Sequence, residues 1–265
     1  MDAAFWYKLV LSFVVGSLWV TLTTLSAEYF GSKIGGLIGG LPSTVVIALF
    51  FIGYTQSPLI AAQATTIMPL AQGLNGLFVL SFMLLISWGL KVAIPGALGV
   101  WLIQATILYL ANIQAFWISL SGWLILLLLC YLILERWWQV SSHDRLEISH
   151  PISQLIWRAL FGGAVIAMAV YMGKLGGALL GGIFGSFPAM FLSTLIITYY
   201  YAGTGFSRSV GKSLLISGLI NVPLYEIIVR LVYTSIGLIP GTVVAILFSL
   251  GTGYLTFIFM KARLS

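Results

Sequence analysis

The chain has 265 residues, of which 60% are hydrophobic and only 7% are Asp, Glu, Lys or Arg. Soluble domains carry about 25% charged residues, so this composition excludes a soluble enzyme, a nucleic-acid-binding protein and a disordered chain. The single Cys130 excludes an internal disulfide and a cysteine-based metal site. Long apolar runs predict an all-α, polytopic integral membrane protein, in which the net charge of +6 reports topology and not nucleic-acid affinity.

Nine membrane spans are predicted, because a hydrocarbon core of about 30 Å needs roughly 20 apolar residues per helix. The spans are expected at about 4–29, 34–54, 58–90, 93–111, 115–136, 153–173, 177–202, 208–236 and 240–260. The third and eighth spans are long, and the sequence leaves open whether each is one helix or two. Pro223 predicts a kink in the eighth span.

The positive residues predict that the N-terminus lies outside and the C-terminus in the cytoplasm. With that orientation, nine Lys and Arg residues fall at cytoplasmic ends, and only Lys8 and Lys174 fall outside. The nine are Lys33, Lys91, Arg136, Arg145, Arg158, Arg208, Lys212, Lys261 and Arg263. We therefore expect a multi-pass protein of a prokaryotic inner (plasma) membrane. The polar loop 139–151, with His143 and His150, is interpreted as a solvated cytoplasmic linker and not as a metal site.

Several landmarks recur in the same order along the chain. The segment 35–44 (GGLIGGLPST) and the segment 181–190 (GGIFGSFPAM) match at an offset of 146 residues, as do Asn75 and Asn221. Two weaker matches pair 94–96 with 239–241 at an offset of 145, and 27–31 with 169–173 at 142. This order predicts an internal duplication.

The duplication divides the chain into a first four-span repeat at 1–112, a linker helix and loop at 113–152, and a second four-span repeat at 153–265. The linker helix, at about 115–136, reverses the second repeat relative to the membrane. Two inverted repeats related by an axis in the membrane plane are typical of secondary transporters.

The repeated motif predicts a broken helix near the middle of the second and seventh spans. Pro42 and Pro188 each follow a glycine cluster, and proline removes a backbone donor and clashes with the preceding turn. Broken helices at the midplane indicate a transport site, although the same glycines are also explained by helix packing alone. The substrate-binding residues predicted around these breaks are Gly39, Pro42, Ser43, Thr44, Gly185, Ser186 and Pro188.

Amides inside apolar spans are further candidates for the binding site. Asn75 and Asn221 lie near the midpoints of long spans, and an amide at that depth needs a partner. Gln72 is three residues before Asn75 and shares its helical face. The alternative is that these amides only join neighbouring helices.

Glu226 is the only acid well inside a span, which makes it a candidate proton carrier or cation ligand. Arg230 is four residues further, on the same face, and is grouped with Glu226 as an ion-coupling residue. The alternative is an intrahelical ion pair. Leu80 occupies the position of Glu226 in the first repeat.

The second half resembles the small GlpM-like inner-membrane proteins of bacteria. The resemblance rests on 158–163 (RALFGG), on the glycine-rich run 176–185 and on 187–189 (FPA), and the first half departs from it at 41–43 (LPS). Those proteins look like single four-span units, so the resemblance implies a fused duplication. It implies no substrate or activity.

The function predicted from these features is a secondary transporter or exporter of a small solute, coupled, if at all, to protons through Glu226. A channel, a lipid flippase and an accessory protein of envelope polymer synthesis are the alternatives. No enzyme motif and no cofactor-binding motif is present, so an enzyme is not expected. The expected partners are membrane lipids and the solute, for which a neutral, zwitterionic or amphipathic molecule is weakly favoured. The substrate, the transport direction and a homo-oligomeric state are left open.

Overall fold

The computed structural model describes residues 2–29, 42–138 and 152–263, and within these residues the chain is all-helical. Nine α-helices are found in the described ranges. They are α1 (Ala3–Tyr29), α2 (Ser43–Thr55), α3 (Pro58–Ala64), α4 (Met68–Leu85), α5 (Leu90–Ala111), α6 (Phe116–Leu132), α7 (Ile152–Gly185), α8 (Ala189–Ile236) and α9 (Leu238–Arg263). A 3₁₀ turn follows α4 and a π-helical turn follows α6.

Six helical stretches of the described chain are long and apolar enough to cross a membrane. They are Ala3–Ser26, Met68–Trp88, Leu90–Ala111, Phe116–Arg136, Ile152–Ile236 and Leu238–Ile258. The fifth stretch has 85 residues and contains α7 and α8 together. The protein is therefore a helical membrane bundle, as the composition predicts.

Of the two long predicted spans, the third is interrupted and the eighth is a continuous helix. The stretch 58–90 is divided by a turn at 65–67, so that α3 and α4 are separate helices. The helix α8 leaves helical geometry at Ala202 and Gly203 but keeps it through Pro223. The predicted irregularity at Pro223 is thus absent from the backbone dihedrals, and the break lies before the eighth span begins.

The predicted break at Pro188 is present, and a second break lies nearby in α7. Gly176 and Gly177 are non-helical, with φ of 68° at Gly177, a conformation that glycine adopts without strain. Beyond this turn the chain packs back on itself. A Cβ placed on Gly181 would lie 3.1 Å from the Cα of Gly173. The helix α7 ends at Gly185. Residues 186–188 are non-helical, and α8 begins at Ala189.

Equivalent positions in the two halves share unusual backbone geometry. Pro42 precedes α2 with φ −75° and ψ 54°, and Pro188 precedes α8 with φ −79° and ψ 48°. Gly89 precedes α5 with φ 89° and ψ 167°, and Gly237 precedes α9 with φ 86° and ψ 176°. The helix that follows Pro42 ends at Thr55, and the helix that follows Pro188 breaks at 202–203, so both run for nearly the same length.

The first helix of each half packs antiparallel to the other. A Cβ on Gly16 would lie 2.7 Å from Ile166, and a Cβ on Gly162 would lie 2.8 Å from Val20. Gly162 stands 146 residues after Gly16, and Ile166 stands 146 residues after Val20. Each contact therefore joins the glycine position of one half to the Val20 or Ile166 position of the other half. Such an exchange is the contact pattern produced by a two-fold axis.

The unpaired helix α6 docks on helices of both halves. The indole N–H of Trp123 donates to the carbonyl of Leu219 at 2.6 Å, and the Ser119 hydroxyl accepts from the backbone N–H of Leu70 at 3.0 Å. Both hydrophobic cores also contain residues of both halves. The two halves of the chain therefore do not form two separate bodies.

Candidate functional site

The starts of α2 and α8 border a single cavity of about 50 Å³. Its wall includes Pro42 and Pro188, so the structure brings together the two prolines at which the sequence predicts breaks. The break at Pro188 is present, whereas the residues before Pro42 lie outside the described ranges. Gln72 and Ser186, both predicted, line it as well. A cavity needs roughly 10–15 Å³ to hold one water molecule, so this cavity has room for a few waters or a very small solute.

Two hydroxyl groups of α2 face this cavity without a protein partner. Ser43 and Thr44 are 6% and 7% exposed, and neither hydroxyl makes a hydrogen bond to the described part of the chain. Pro42 occupies the N-cap position, and no side chain caps this helix. Hydroxyls at this depth normally bond the preceding turn of their own helix, but Ser43 and Thr44 are the first two residues of α2. They are left available to a ligand.

The side-chain amide of Asn75, from the first half of the chain, bonds the backbone at the break before α8. The side-chain N–H₂ of Asn75 donates to the carbonyl of Ser186 at 2.6 Å and to the side-chain oxygen of Gln72 at 3.0 Å. A broken helix leaves carbonyls that need partners inside a membrane. Asn75 therefore supplies the hydrogen bond that the interrupted helix cannot make, and its role is to position the break and not to line the cavity.

Arg158 also lines the cavity, which the sequence argument missed because it treated this arginine as a marker of topology. Its guanidinium donates to the Thr194 hydroxyl at 2.9 Å. Thr194 lines the cavity too, on the helix that begins after Pro188. One signal was available in the sequence. Arg158 lies six residues inside the predicted repeat, and a charge at that depth on a membrane helix indicates a polar environment.

Asn221 lies behind the wall and not on it. Its side-chain oxygen accepts from the Thr256 hydroxyl at 2.9 Å, and its N–H₂ lies 3.3 Å from the hydroxyl of Ser217, which does line the cavity. Asn221 thus joins α8 to α9. The contacts match the alternative in which this amide connects helices.

Glu226 is fully buried, and its carboxyl oxygens have no hydrogen-bond partner among the described residues. Gln72 is a polar neighbour of this carboxyl. Arg230 does not bond Glu226 in the described structure. It donates to the Thr66 hydroxyl at 2.9 Å and stacks over the Phe116 ring at 4.5 Å. The intrahelical pair that the spacing allowed is not formed. Glu226 is separated from the cavity by the side chain of Gln72 and has no counter-ion among the described residues.

The glycines of the motif fall into two groups. Gly185 packs against Met68 and Ala48, with 3.6 Å and 3.9 Å from its would-be Cβ, which is ordinary helix packing. Gly39, with the rest of 35–41, lies outside the described residues, as do His143 and His150 of the predicted linker loop. Among the described residues, no group of three His, Cys, Asp or Glu could hold a metal ion.

No family model, no curated protein and no solved structure matches this chain. The resemblance of the second half to GlpM-like proteins stays a prediction.

Proposed function

We propose that the protein is a secondary transporter of a small solute, built from two inverted repeats with a central binding cavity. In this proposal the chain crosses an inner (plasma) membrane nine times, with the N-terminus outside and α6 as the crossing that reverses the second repeat. The observation that carries the proposal is that Pro42 and Pro188, which each precede the start of a helix, border the same cavity. Two interrupted helices meeting at one cavity are typical of transporters with inverted repeats.

The repeat is supported by geometry as well as by sequence. Pro42 and Pro188 stand 146 residues apart and have nearly equal dihedrals. The contacts of Gly16 with Ile166 and of Gly162 with Val20 fit the same offset of 146 residues. The weaker match of 27–31 with 169–173 has an offset of 142, which is four residues shorter. Gly89 and Gly237 are 148 apart, so the match of 94–96 with 239–241 at 145 is three residues out of register with them.

Alternating access requires one closure on each side of the cavity, and polar contacts at repeat-related positions fit this role. On one side, Arg230 donates to the carbonyl of Ala62 at 3.4 Å as well as to Thr66. On the other side, the contacts are made by Arg208 and Lys212, which stand 146 positions after Ala62 and Thr66. Arg208 donates to the carbonyl of Met83 at 2.8 Å.

The second of these closures also contains an ion pair. Lys212 is 5% exposed, and its ammonium group lies 2.8 Å from a carboxylate oxygen of Glu135, at the end of the α6 crossing. Alternate breaking of the two closures would open the cavity first to one face and then to the other.

Proton coupling through Glu226 is part of the proposal. An ionised carboxylate buried without a counter-ion is costly, whereas a protonated carboxyl is tolerated. Because Gln72 lies beside Glu226 and also lines the cavity, loading of the cavity and protonation of this residue can influence each other.

Flux measurements on proteoliposomes of the purified full-length protein test the proposal. The probes are acetate, lactate, glycine, glycerol and inorganic phosphate, with and without an imposed pH gradient. A transporter gives saturable, competable uptake of at least one probe class. Ohmic single-channel currents in a planar bilayer would contradict alternating access and favour a channel.

A further inference from the structure

The cavity has one charged group in its wall, and that group is positive. Among the described residues that line it, Arg158 is the only charged side chain, and no Asp or Glu is present. The remaining polar groups are hydroxyls and amides, including Ser43, Thr44 and Thr194. The wall therefore carries one positive side chain together with hydroxyl groups and the amide of Gln72.

Two helix starts add to this positive character. The α2 and α8 helices both begin at the cavity, at Ser43 and Ala189, and proline precedes each. Neither helix has a side-chain cap. The first N–H groups of a helix have no partner inside the helix, and its dipole is positive at that end. Two starts that meet at one cavity therefore favour an anion between them.

The buried hydroxyls provide an independent indication of a ligand. Ser43 and Thr44 are more than nine-tenths buried, they line the cavity, and their hydroxyls lack a partner among the described residues. Polar groups buried in a protein are almost always hydrogen-bonded. The N–H of Ala189, the first of α8, already donates to the carbonyl of Phe187 at 2.8 Å. A ligand with acceptor oxygens would satisfy both hydroxyls of α2.

We propose that this cavity binds a small oxyanion, of the carboxylate or phosphate type, between Arg158 and the starts of α2 and α8. The proposal rests on the transporter function above and names its substrate class. It replaces the weak preference for a neutral solute drawn from the scarcity of charged residues. Met190 and Phe191 form an apolar part of the wall, which suits an anion with a short hydrocarbon portion.

Binding to the purified full-length protein in neutral detergent tests the assignment without requiring transport. The measurement is the thermal unfolding midpoint, titrated with sodium acetate, sodium butyrate or sodium phosphate against sodium chloride at equal ionic strength. Glycerol serves as the neutral probe, and dioctanoyl phosphatidic acid tests a lipid headgroup as the source of the anion. Because phosphate also stabilises proteins non-specifically, each titration is repeated on variants.

The variants separate the site from the rest of the surface. R158Q should weaken the binding of the stabilising anion by about ten- to a hundredfold, the range expected when a charged hydrogen bond is lost. T44V, which replaces a hydroxyl by a methyl group of similar size, should weaken it by a few fold, on the order of one neutral hydrogen bond. K91Q removes an exposed lysine away from the cavity and should leave binding unchanged. If R158Q does not fold, R158K, which keeps the charge, replaces it alongside T44V.

The outcomes distinguish this assignment from the transporter proposal. Saturable stabilisation by an oxyanion, lost in R158Q and kept in K91Q, supports the anion site even if no flux is found. Saturable uptake of glycerol or glycine without stabilisation by any oxyanion overturns the anion site and keeps the transporter. A response to dioctanoyl phosphatidic acid alone supports the anion site and counts against a soluble solute. Equal stabilisation of the wild-type protein, R158Q and K91Q overturns the anion site.

Discussion

The hydrogen bond between Asn75 and the carbonyl of Ser186 gives a quantitative prediction about the broken helix. N75L keeps a similar volume but removes both N–H donors, one at 2.6 Å from Ser186 and one at 3.0 Å from Gln72. Because Asn75 and Ser186 are each only 1% exposed, water does not readily replace the lost donor. The carbonyl is then left without its partner.

The expected loss is about 2–4 kcal/mol of unfolding free energy. A hydrogen bond contributes about 0.5–1.5 kcal/mol net, but removing one partner so that a buried acceptor is left unsatisfied costs about 1–3 kcal/mol. Side-chain bonds in membrane proteins contribute roughly 0.6 kcal/mol on average and about 1.7 at most, which places the second bond at the lower end. The assay is reversible unfolding in mixed micelles with increasing SDS, followed by circular dichroism.

A matched control comes from Gln104 in α5. This amide is also buried, but its side-chain oxygen has no hydrogen-bond partner within the described ranges. Q104L should therefore change the unfolding free energy by less than about 1 kcal/mol, because removing an unsatisfied polar group costs little or stabilises. If N75L unfolds like the wild-type protein, or if Q104L loses as much as N75L, the role given to Asn75 is wrong.

Three further predictions concern packing, coupling and topology. G163A should destabilise by about 1–3 kcal/mol through overpacking, because its Cβ would lie 2.7 Å from a backbone carbonyl of α1. G99A, whose Cβ meets nothing within 4 Å, should stabilise by about 0.5–1 kcal/mol, and the same SDS titration compares the two. E226Q should abolish the response of uptake to a pH gradient in proteoliposomes, and an unchanged response excludes Glu226 as the proton carrier. In a C130A background, a cysteine at Asp2 should react with an impermeant maleimide from outside intact cells, and reaction only after lysis would place the N-terminus inside.

The sequence predicted the class of fold well because the main determinants are local. Apolar length and the scarcity of charge are sufficient to predict a helical membrane bundle. The break at Pro188 was also predictable, since proline after a glycine cluster cannot continue a helix without cost. The break at Ala202–Gly203 falls at the predicted end of the seventh span, at 202.

The site was predicted only in part because its contacts are non-local. The sequence offered Ser43, Thr44 and Ser186 as candidates, and these do line the cavity. It grouped Asn221 with them, although the structure places this amide between α8 and α9. Whether an amide faces a cavity or a neighbouring helix depends on helix rotation, which residue spacing within one helix does not specify.

Charge gave the least predictable outcome. Arg158 was counted as a topology marker because it lies near the end of its span, yet its guanidinium reaches Thr194 and the cavity wall. A long arginine side chain can extend several ångströms along its helix. Arg230 was expected near Glu226 and instead contacts Thr66 of the first half. In both cases the partner lies more than thirty residues away in sequence.

Access to Ser43 from the two membrane faces tests the central claim most directly and needs no knowledge of the substrate. In a C130A background, S43C is reconstituted in sealed vesicles and exposed to a small impermeant thiosulfonate from either side. A cavity with alternating access predicts modification from both faces, with slower reaction when a stabilising oxyanion is present. Modification from one face only, or from neither, would contradict the proposal that this cavity opens in turn to each side.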